Sequence, residues 1–168
     1  MSTLSVDTIQ GQTAAANVKM PAGATLQVVQ TINTTHASSN TSSWAATDIS
    51  ASITPKYNTS KILVQFTGAI RVYVNGSNNA AGAWRIYRSV GGASFAQLGN
   101  HEITHRGYDY GGSGLITDIP FHMQYLDSPS TTSALIYKLY WYKQAGTAME
   151  YNPDGQDETY TTLTEISA

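Results

Sequence analysis

The chain has 168 residues, the size of a single domain, and 12% of them are charged. Its net charge is −2 and it has no run of Lys or Arg, which excludes a sequence-independent grip on nucleic acid. It contains no cysteine, which excludes disulfides and thiolate zinc sites, and no stretch approaches the roughly 20 apolar residues of a membrane span.

The first 23 residues are predicted to form an arm outside the main domain. Leu4, Val6 and Ile9 lie among Ser, Asp and Thr in a strand-like pattern, and a turn signal at residues 21–23 (PAG) ends the segment. The segment is too thinly apolar to bury its own core, so it should lie against the main domain, a neighbouring subunit or another protein. Its start has neither a basic nor an apolar region, so no secretory signal is predicted.

From residue 24 the chain reads as a series of strands separated by turns. The strand-like segments are 26–32, 44–53, 61–74, 83–90, 115–126, 134–142 and 160–166. In the longest of them, apolar residues on both sides of Gly68 share one side of the strand: Ile62, Val64, Phe66, Ile70, Val72 and Val74. Residues 33–43 are almost all Asn, Thr and Ser, and are predicted to form a loop.

The composition and the turn spacing together predict the fold class. Thr and Tyr favour strands and are abundant, at 21 and 11 residues, whereas the Glu, Lys and Leu of amphipathic helices are scarce. About nine strands, with turn signals roughly every 8–15 residues, indicate an all-β, antiparallel jelly roll or β-sandwich. We expect this domain to span residues 24–168 and the N-terminal arm to span residues 1–23.

Residues 101–105 (HEITH) match the H-E-x-x-H pattern of zinc proteases. That pattern binds zinc on a helix, whereas Gly99, Gly107 and two β-branched residues inside the pattern argue against a helix here. On a strand the two imidazoles would lie roughly 13 Å apart. A weaker alternative places His101 or His105 on a threefold axis, where three chains share one metal; the simpler alternative is two surface histidines.

No other motif for catalysis occurs. The chain has no G-x-S-x-G nucleophile turn and no phosphate-binding loop. We therefore predict a protein that is not an enzyme, with no catalytic residue, no cofactor and no metal.

Residues 100–114 are predicted to form an exposed loop that binds a receptor. The segment places rings, one cation and one anion between glycines: His105, Arg106, Tyr108, Asp109 and Tyr110. Sugar binding uses this mixture, because flat apolar faces cover C–H surfaces and fixed polar groups bind hydroxyls. The alternative is a long loop whose tyrosines pack on the sandwich or at a subunit interface.

The same two alternatives, ligand binding and packing, apply to the aromatic segment 134–142. Alternation places Tyr140 and Tyr142 on one side, with Leu139 and Trp141 facing the core or a partner. We expect the tyrosines to pack at an interface.

Charge is distributed unevenly along the chain. The basic residues concentrate between residues 56 and 106, a span whose only acid is Glu102, while five acids and no base follow Lys143. Either the two segments pair within one fold, or they form complementary faces of neighbouring subunits.

Several segments resemble short tail-fibre-like virion proteins of marine phages, cyanophages especially. They are residues 2–10 (STLSVDTIQ), 20–23 (MPAG), 53–64 (ITPKYNTSKILV), 125–129 (YLDSP) and 163–166 (LTEI). Together they bracket nearly the whole chain, but they are strand and turn residues rather than a catalytic signature. No binding residue is carried over, because residues 75–118 have no counterpart.

The resemblance implies a homotrimeric virion protein, made in the host cytoplasm and carried on the exterior of the phage particle. The arm would join other virion proteins, and apical loops, chiefly 75–82 and 100–114, would contact a host surface glycan or protein. Neither nucleic acid binding nor membrane insertion is expected. The alternative is a capsid decoration or head-fibre protein that stabilises the shell.

Overall fold

The structure, a computed structural model, describes residues 20–76, 79–100 and 102–168, with the backbone alone at Asp154. Eleven strands run through these residues, and a single 3-10 turn, Pro153–Gly155, lies before the last of them. The strands are β1 Thr25–Asn33, β2 Ala37–Ser39, β3 Ala45–Ile53, β4 Lys61–Val74, β5 Asn79–Val90, β6 Ala96–Gln97, β7 Ile103–Tyr108, β8 Leu115–Asp127, β9 Leu135–Ala145, β10 Ala148–Tyr151 and β11 Thr159–Ile166.

The strands form two antiparallel sheets. The first sheet has the order β1-β11-β4-β8, and β10 with β2 continues beside the second half of β4. The second sheet has the order β3-β9-β5, and β6 and β7 both pair with the far side of β5. Because the chain crosses between the sheets repeatedly, the fold is an all-β jelly roll, as the sequence predicts.

The core lies between the two sheets and follows from strand alternation. On β4 the residues predicted to share a side are all buried: Ile62, Val64, Phe66, Ile70, Val72 and Val74. Aromatic side chains from both sheets meet these residues: Trp84 lies 5.5 Å from Phe121 and 5.6 Å from Trp141, ring centre to ring centre. Burying this apolar surface is the main stabilising contribution to the fold.

The two ends of the sandwich differ in what they carry. At one end, which we call the base, the Gly23 N–H donates to the Ser167 carbonyl (2.7 Å) and the Ser167 N–H donates to that of Ala24 (2.9 Å). The opposite end, the apical end, carries residues 75–76, 109–114 and 146–147. The 14 residues of β4 connect the two, a distance of about 43 Å at about 3.3 Å per residue.

A charged cluster is buried at the base. The Asp127 carboxylate is 4% exposed and accepts hydrogen bonds from Arg88 Nη1 at 2.6 and 2.8 Å and from the Tyr137 hydroxyl at 2.7 Å. Burial and the neighbouring carboxylate raise the pKa of Tyr137, so its hydroxyl remains a donor.

Two predicted loops are partly strand. Residues 33–43 include β2, and residues 100–114 include β7, so the described loop of the second segment that reaches the apical end is Asp109 to Gly114. β5 likewise begins at Asn79, earlier than predicted. Of the N-terminal arm, residues 1–19 lie outside the described residues, and the prediction of an arm stays a prediction.

Candidate functional site at the apical end

The loop 109–114 is built by one carboxylate. Asp109 accepts backbone N–H bonds from Gly111 (2.8 Å), Ser113 (2.9 Å) and Gly114 (3.0 Å). Gly114 has a φ of +108°, and a Cβ there would meet the Val74 carbonyl, so the loop closes tightly on the end of β4. Asp109 therefore shapes the loop rather than offering a free carboxylate to a ligand.

Three of the predicted receptor-binding residues are exposed at the apical end, and two of them are in contact. Arg106 Nη1 donates to the Tyr108 hydroxyl (3.2 Å), and Tyr108 is 53% exposed. Tyr110, at the tip of the loop, is 96% exposed. Among the described residues, the side chains hydrogen-bonded to Arg106 are uncharged, so its positive charge remains available beside the Tyr108 ring.

A chain of hydrogen bonds connects Arg106 through Gln144 to Glu102. The Arg106 Nη2 atom donates to Gln144 Oε1 (3.2 Å), and Gln144 Nε2 donates to Glu102 Oε1 (3.3 Å). The other Glu102 oxygen accepts from Arg85 Nε (3.0 Å) and Nη2 (2.7 Å), the forked geometry of a strong ion pair. Arg106 therefore stands at the end of a connected polar row on the outer face of the second sheet.

The sequence reasoning did not identify that row. Arg85 lies on β5, Gln144 lies on β9 and Glu102 directly precedes β7, so only the register of β5 with its neighbours brings them together. Arg85 also lies 4.4 Å above the Trp44 ring, which packs against Tyr142 at 5.4 Å. The only signal in the sequence is alternation, which places Tyr142 on the outer side of β9.

The alternation predicted for β9 is confirmed, whereas packing of its tyrosines at a subunit interface stays a prediction. Leu139 and Trp141 are buried in the core, whereas Tyr140 points outward and stacks on Tyr87 at 3.9 Å. Tyr140 and Tyr142 are thus covered in part by their own neighbours on the second sheet.

His105 does not join the exposed group. It alternates with Arg106 on β7, so its ring lies inside the sandwich, edge-on to Phe121 at 6.2 Å. Its Nε2 atom is buried without a hydrogen-bond partner, and burial lowers the pKa of the imidazole. An inward His105 corrects both the loop assignment and the idea that this residue lies on a threefold axis.

The H-E-x-x-H pattern is not helical at its described residues: Ile103, Thr104 and His105 lie in β7, where a loop was predicted. Glu102 pairs with Arg85 on the outer face while His105 points into the core, and His101 lies outside the described residues. Within residues 20–76, 79–100 and 102–168 no group of three or more His, Cys, Asp or Glu is placed to hold a metal. The same residues include no helix that is long and apolar enough to cross a membrane.

Arginines of the basic segment, residues 56–106, form most of their ion pairs with acids outside the acidic C-terminal segment. Arg71 forms an ion pair with Asp118 (2.5 Å) and approaches Glu150 at 3.6 Å. Only the Arg71–Glu150 contact joins the basic segment to the acidic C-terminal one by an ion pair among the described side chains.

Comparison with known proteins gives fold-level likeness only. No protein-family model and no curated protein matches the sequence. A TNF protein, Eiger, from S. frugiperda is 8% identical with a TM-score of 0.37, over 64% of this chain and 60% of that one. The T13 particle of infectious bursal disease virus (IBDV) gives 13% and 0.31, over 84% of this chain and 36% of that one. The VP2 subviral particle of the same virus gives 15% and 0.30, over 84% and 38%. The chain thus spans less than two thirds of each of these chains.

Proposed function

We propose that this protein is a structural protein of a phage particle, a homotrimeric tail fibre or adhesin that binds a glycan on the host surface. It acts by binding and performs no catalysis. The N-terminal arm joins it to other virion proteins on the exterior of the particle, after synthesis in the host cytoplasm. The resemblance of residues 2–10 and 53–64 to tail-fibre-like proteins of marine phages supports this reading.

The observation that carries the proposal is that two different surfaces lie at opposite ends of the sandwich. Residues 20–23, the last of the predicted arm, lie at the base, and the exposed Arg106, Tyr108 and Tyr110 lie at the apical end, about 43 Å away. A protein that bridges two bodies needs its attachment segment and its binding residues at opposite ends. A tyrosine ring beside an arginine, with a second exposed tyrosine at the same end, suits a sugar, whose C–H faces pack on rings and whose oxygens accept hydrogen bonds.

Weak single sites suffice in this arrangement. Three copies of the apical end act together on one host surface, and the effective concentration of the second and third sites raises the avidity without any new contact. The trimer is thus part of the proposed mechanism.

The test is competition for phage adsorption by the purified protein. We expect Tyr108→Ala combined with Tyr110→Ala, and separately Arg106→Gln, to weaken inhibition at least about tenfold, because aromatic and Arg side chains dominate binding surfaces. Lys61→Gln, which removes an exposed cation at the base, is the matched control and should inhibit like the wild type. Equal inhibition by all four proteins would contradict apical binding.

Position on the particle is tested by immunogold labelling. A label at the tail supports the fibre reading. A label on the head would overturn it and would favour a protein that decorates or stabilises the capsid shell.

A further inference from the structure

Arg106 differs from the other arginines of the chain in what it contacts. The sequence has four arginines, and the other three form ion pairs with carboxylates: Arg71 with Asp118, Arg85 with Glu102 and Arg88 with Asp127. The hydrogen bonds of Arg106 go to the Tyr108 hydroxyl and to the Gln144 amide oxygen, at 3.2 Å each. Within the described part of the chain, Arg106 is thus an exposed cation without a counter-ion.

The two described carboxylates nearest to Arg106 in the sequence are already engaged by other donors. One Glu102 oxygen accepts both bonds from Arg85, and the other accepts from Thr104 (3.2 Å) and Gln144 (3.3 Å). Gln144 separates Arg106 from Glu102, because its amide oxygen binds the first and its amide nitrogen binds the second. Asp109 uses both oxygens on backbone N–H groups of its own loop.

The Arg106 guanidinium is held in position before a ligand arrives. A guanidinium has five N–H donors in a planar fork, and Tyr108 and Gln144 use two of them, so the others remain for a ligand. Because the side chain is already fixed, less conformational entropy is lost when it binds.

The Tyr108 ring lies beside this cation on the same side of β7. Alternation turns Thr104, Arg106 and Tyr108 outward, and all three are exposed. Residues two apart on a strand are roughly 7 Å apart along it, about the size of one sugar ring. One sugar unit can therefore contact the guanidinium and the ring together.

The charge of Arg106 favours an acidic ligand over a neutral one. Sugar hydroxyls can be bound by uncharged amides and hydroxyls, so a neutral sugar gives no role to an unpaired cation. A carboxylate, sulfate or phosphate group matches the guanidinium fork, and bonds between charged partners are roughly twice as strong as neutral ones.

We propose that the apical end binds an acidic sugar, in which a carboxylate, sulfate or phosphate group pairs with Arg106 while a C–H face of the ring packs on Tyr108. The inference rests on the glycan binding of the proposed function and narrows the class of its ligand. Arg106 then decides between the acidic and the neutral form of the same sugar.

The first test changes the ligand. Polysaccharide extracted from the surface of host cells is immobilised untreated, after reduction of its carboxyl groups to alcohols, after removal of its sulfate esters, or after removal of its phosphate groups. We expect one of these treatments to weaken binding of the purified protein at least about tenfold, and that treatment identifies the anion. Equal binding to the untreated and to all three treated forms would overturn the inference.

The second test changes the protein. Arg106→Gln should bind the untreated polysaccharide at least about tenfold more weakly than the wild type, and the effective treatment should change its binding little. Arg106→Lys keeps the charge without the fork, so its affinity should fall between the two. Lys61→Gln removes one exposed positive charge at the base and should keep the wild-type preference.

An Arg106→Gln variant that still prefers the untreated polysaccharide as strongly as the wild type would show that the anion binds elsewhere, and would overturn the role of Arg106. Thermal unfolding checks that each variant is folded.

The outcomes separate this inference from the proposed function. Binding that is weakened by Tyr108→Ala with Tyr110→Ala, but by none of the three treatments, overturns the acidic ligand and leaves a glycan-binding adhesin standing. A wild type that does not bind the untreated polysaccharide overturns both the acidic ligand and glycan binding.

Discussion

Asp127 shows how this fold accommodates charge in its interior. A carboxylate that is 4% exposed would be very costly alone, but Arg88 and the Tyr137 hydroxyl satisfy both of its oxygens. A quarter of the Arg88 side chain is exposed to water, so the ion pair is only partly desolvated. Such a pair contributes little net stability when intact and a large loss when one partner is removed.

We therefore expect Asp127→Ala to lower the free energy of unfolding by about 3 kcal/mol, because it leaves a partly buried guanidinium without its counter-ion. Asp118→Ala is the matched control: its carboxylate also pairs with an arginine but is 51% exposed, so its loss should cost less than about 1 kcal/mol. Urea denaturation measures both. Similar losses for the two variants would contradict the role assigned to burial.

His105 should make the stability depend on pH. Burial lowers the pKa of this imidazole from its ordinary 6.5, and the ring faces Phe121 rather than a carboxylate. Below pH 6.5 the unfolded chain takes up a proton that the folded chain resists. Stability is therefore full above pH 6.5 and falls as the pH is lowered from 6.5 towards the folded-state pKa.

His105→Phe should reduce this loss, and should be at least as stable at neutral pH, because it replaces a buried unpartnered nitrogen by an apolar ring. The measurement is the urea midpoint at a series of pH values. His122→Phe, on an exposed histidine of β8, should keep the wild-type profile. A profile unchanged by His105→Phe would assign the acid sensitivity to other groups.

Among the strands, β4 pairs with three others, β8, β10 and β11. β11 pairs with its first half, β10 with its second half, and Gly68 lies where one gives way to the other. A Cβ on Gly68 would lie 3.0 Å from the Cα of Thr159, a backbone atom that cannot move aside. Gly68 is thus required by a close approach of strands, not by its own φ.

We expect Gly68→Ala to destabilise the fold by about 1–3 kcal/mol through this overlap. Gly82→Ala is the comparison: its Cβ would meet the end of the flexible Met149 side chain, so its cost should be below about 1 kcal/mol. Thermal unfolding ranks the two, and the reverse order would contradict the overlap.

Elements with a strong apolar pattern could be predicted from the sequence. Alternation on β4 gave both its bounds and its buried side, because one face of the strand lies in a continuous core. β2 could not be found, since its one apolar residue, Ala37, is too little for a pattern and the strand is held by backbone pairing with β10. β7 was missed because glycines surround a strand whose inward residues include His105.

Only those residues of the candidate site that are close together in the sequence could be predicted. Arg106 and Tyr108 are close in the chain, and the structure keeps them in contact. Glu102, Gln144 and Arg85, which support Arg106, are joined by strand register, and register depends on the whole fold.

At the scale of the whole molecule, the sandwich has a base and an apical end. The base holds residues 20–24 beside Ser167, and the apical end holds the exposed Arg106 in contact with Tyr108. The two ends are therefore separate surfaces, about 43 Å apart along β4.

The pairing of β1 with β11 bears on mechanical strength. β1 begins at the base and runs towards the apical end, joined to β11 over eight residue pairs. A pull between the base and the apical end would slide β1 lengthwise along β11. All the hydrogen bonds between the two strands would then resist the force together, instead of opening one after another. The fold is thus oriented to resist tension applied between the base and the apical end.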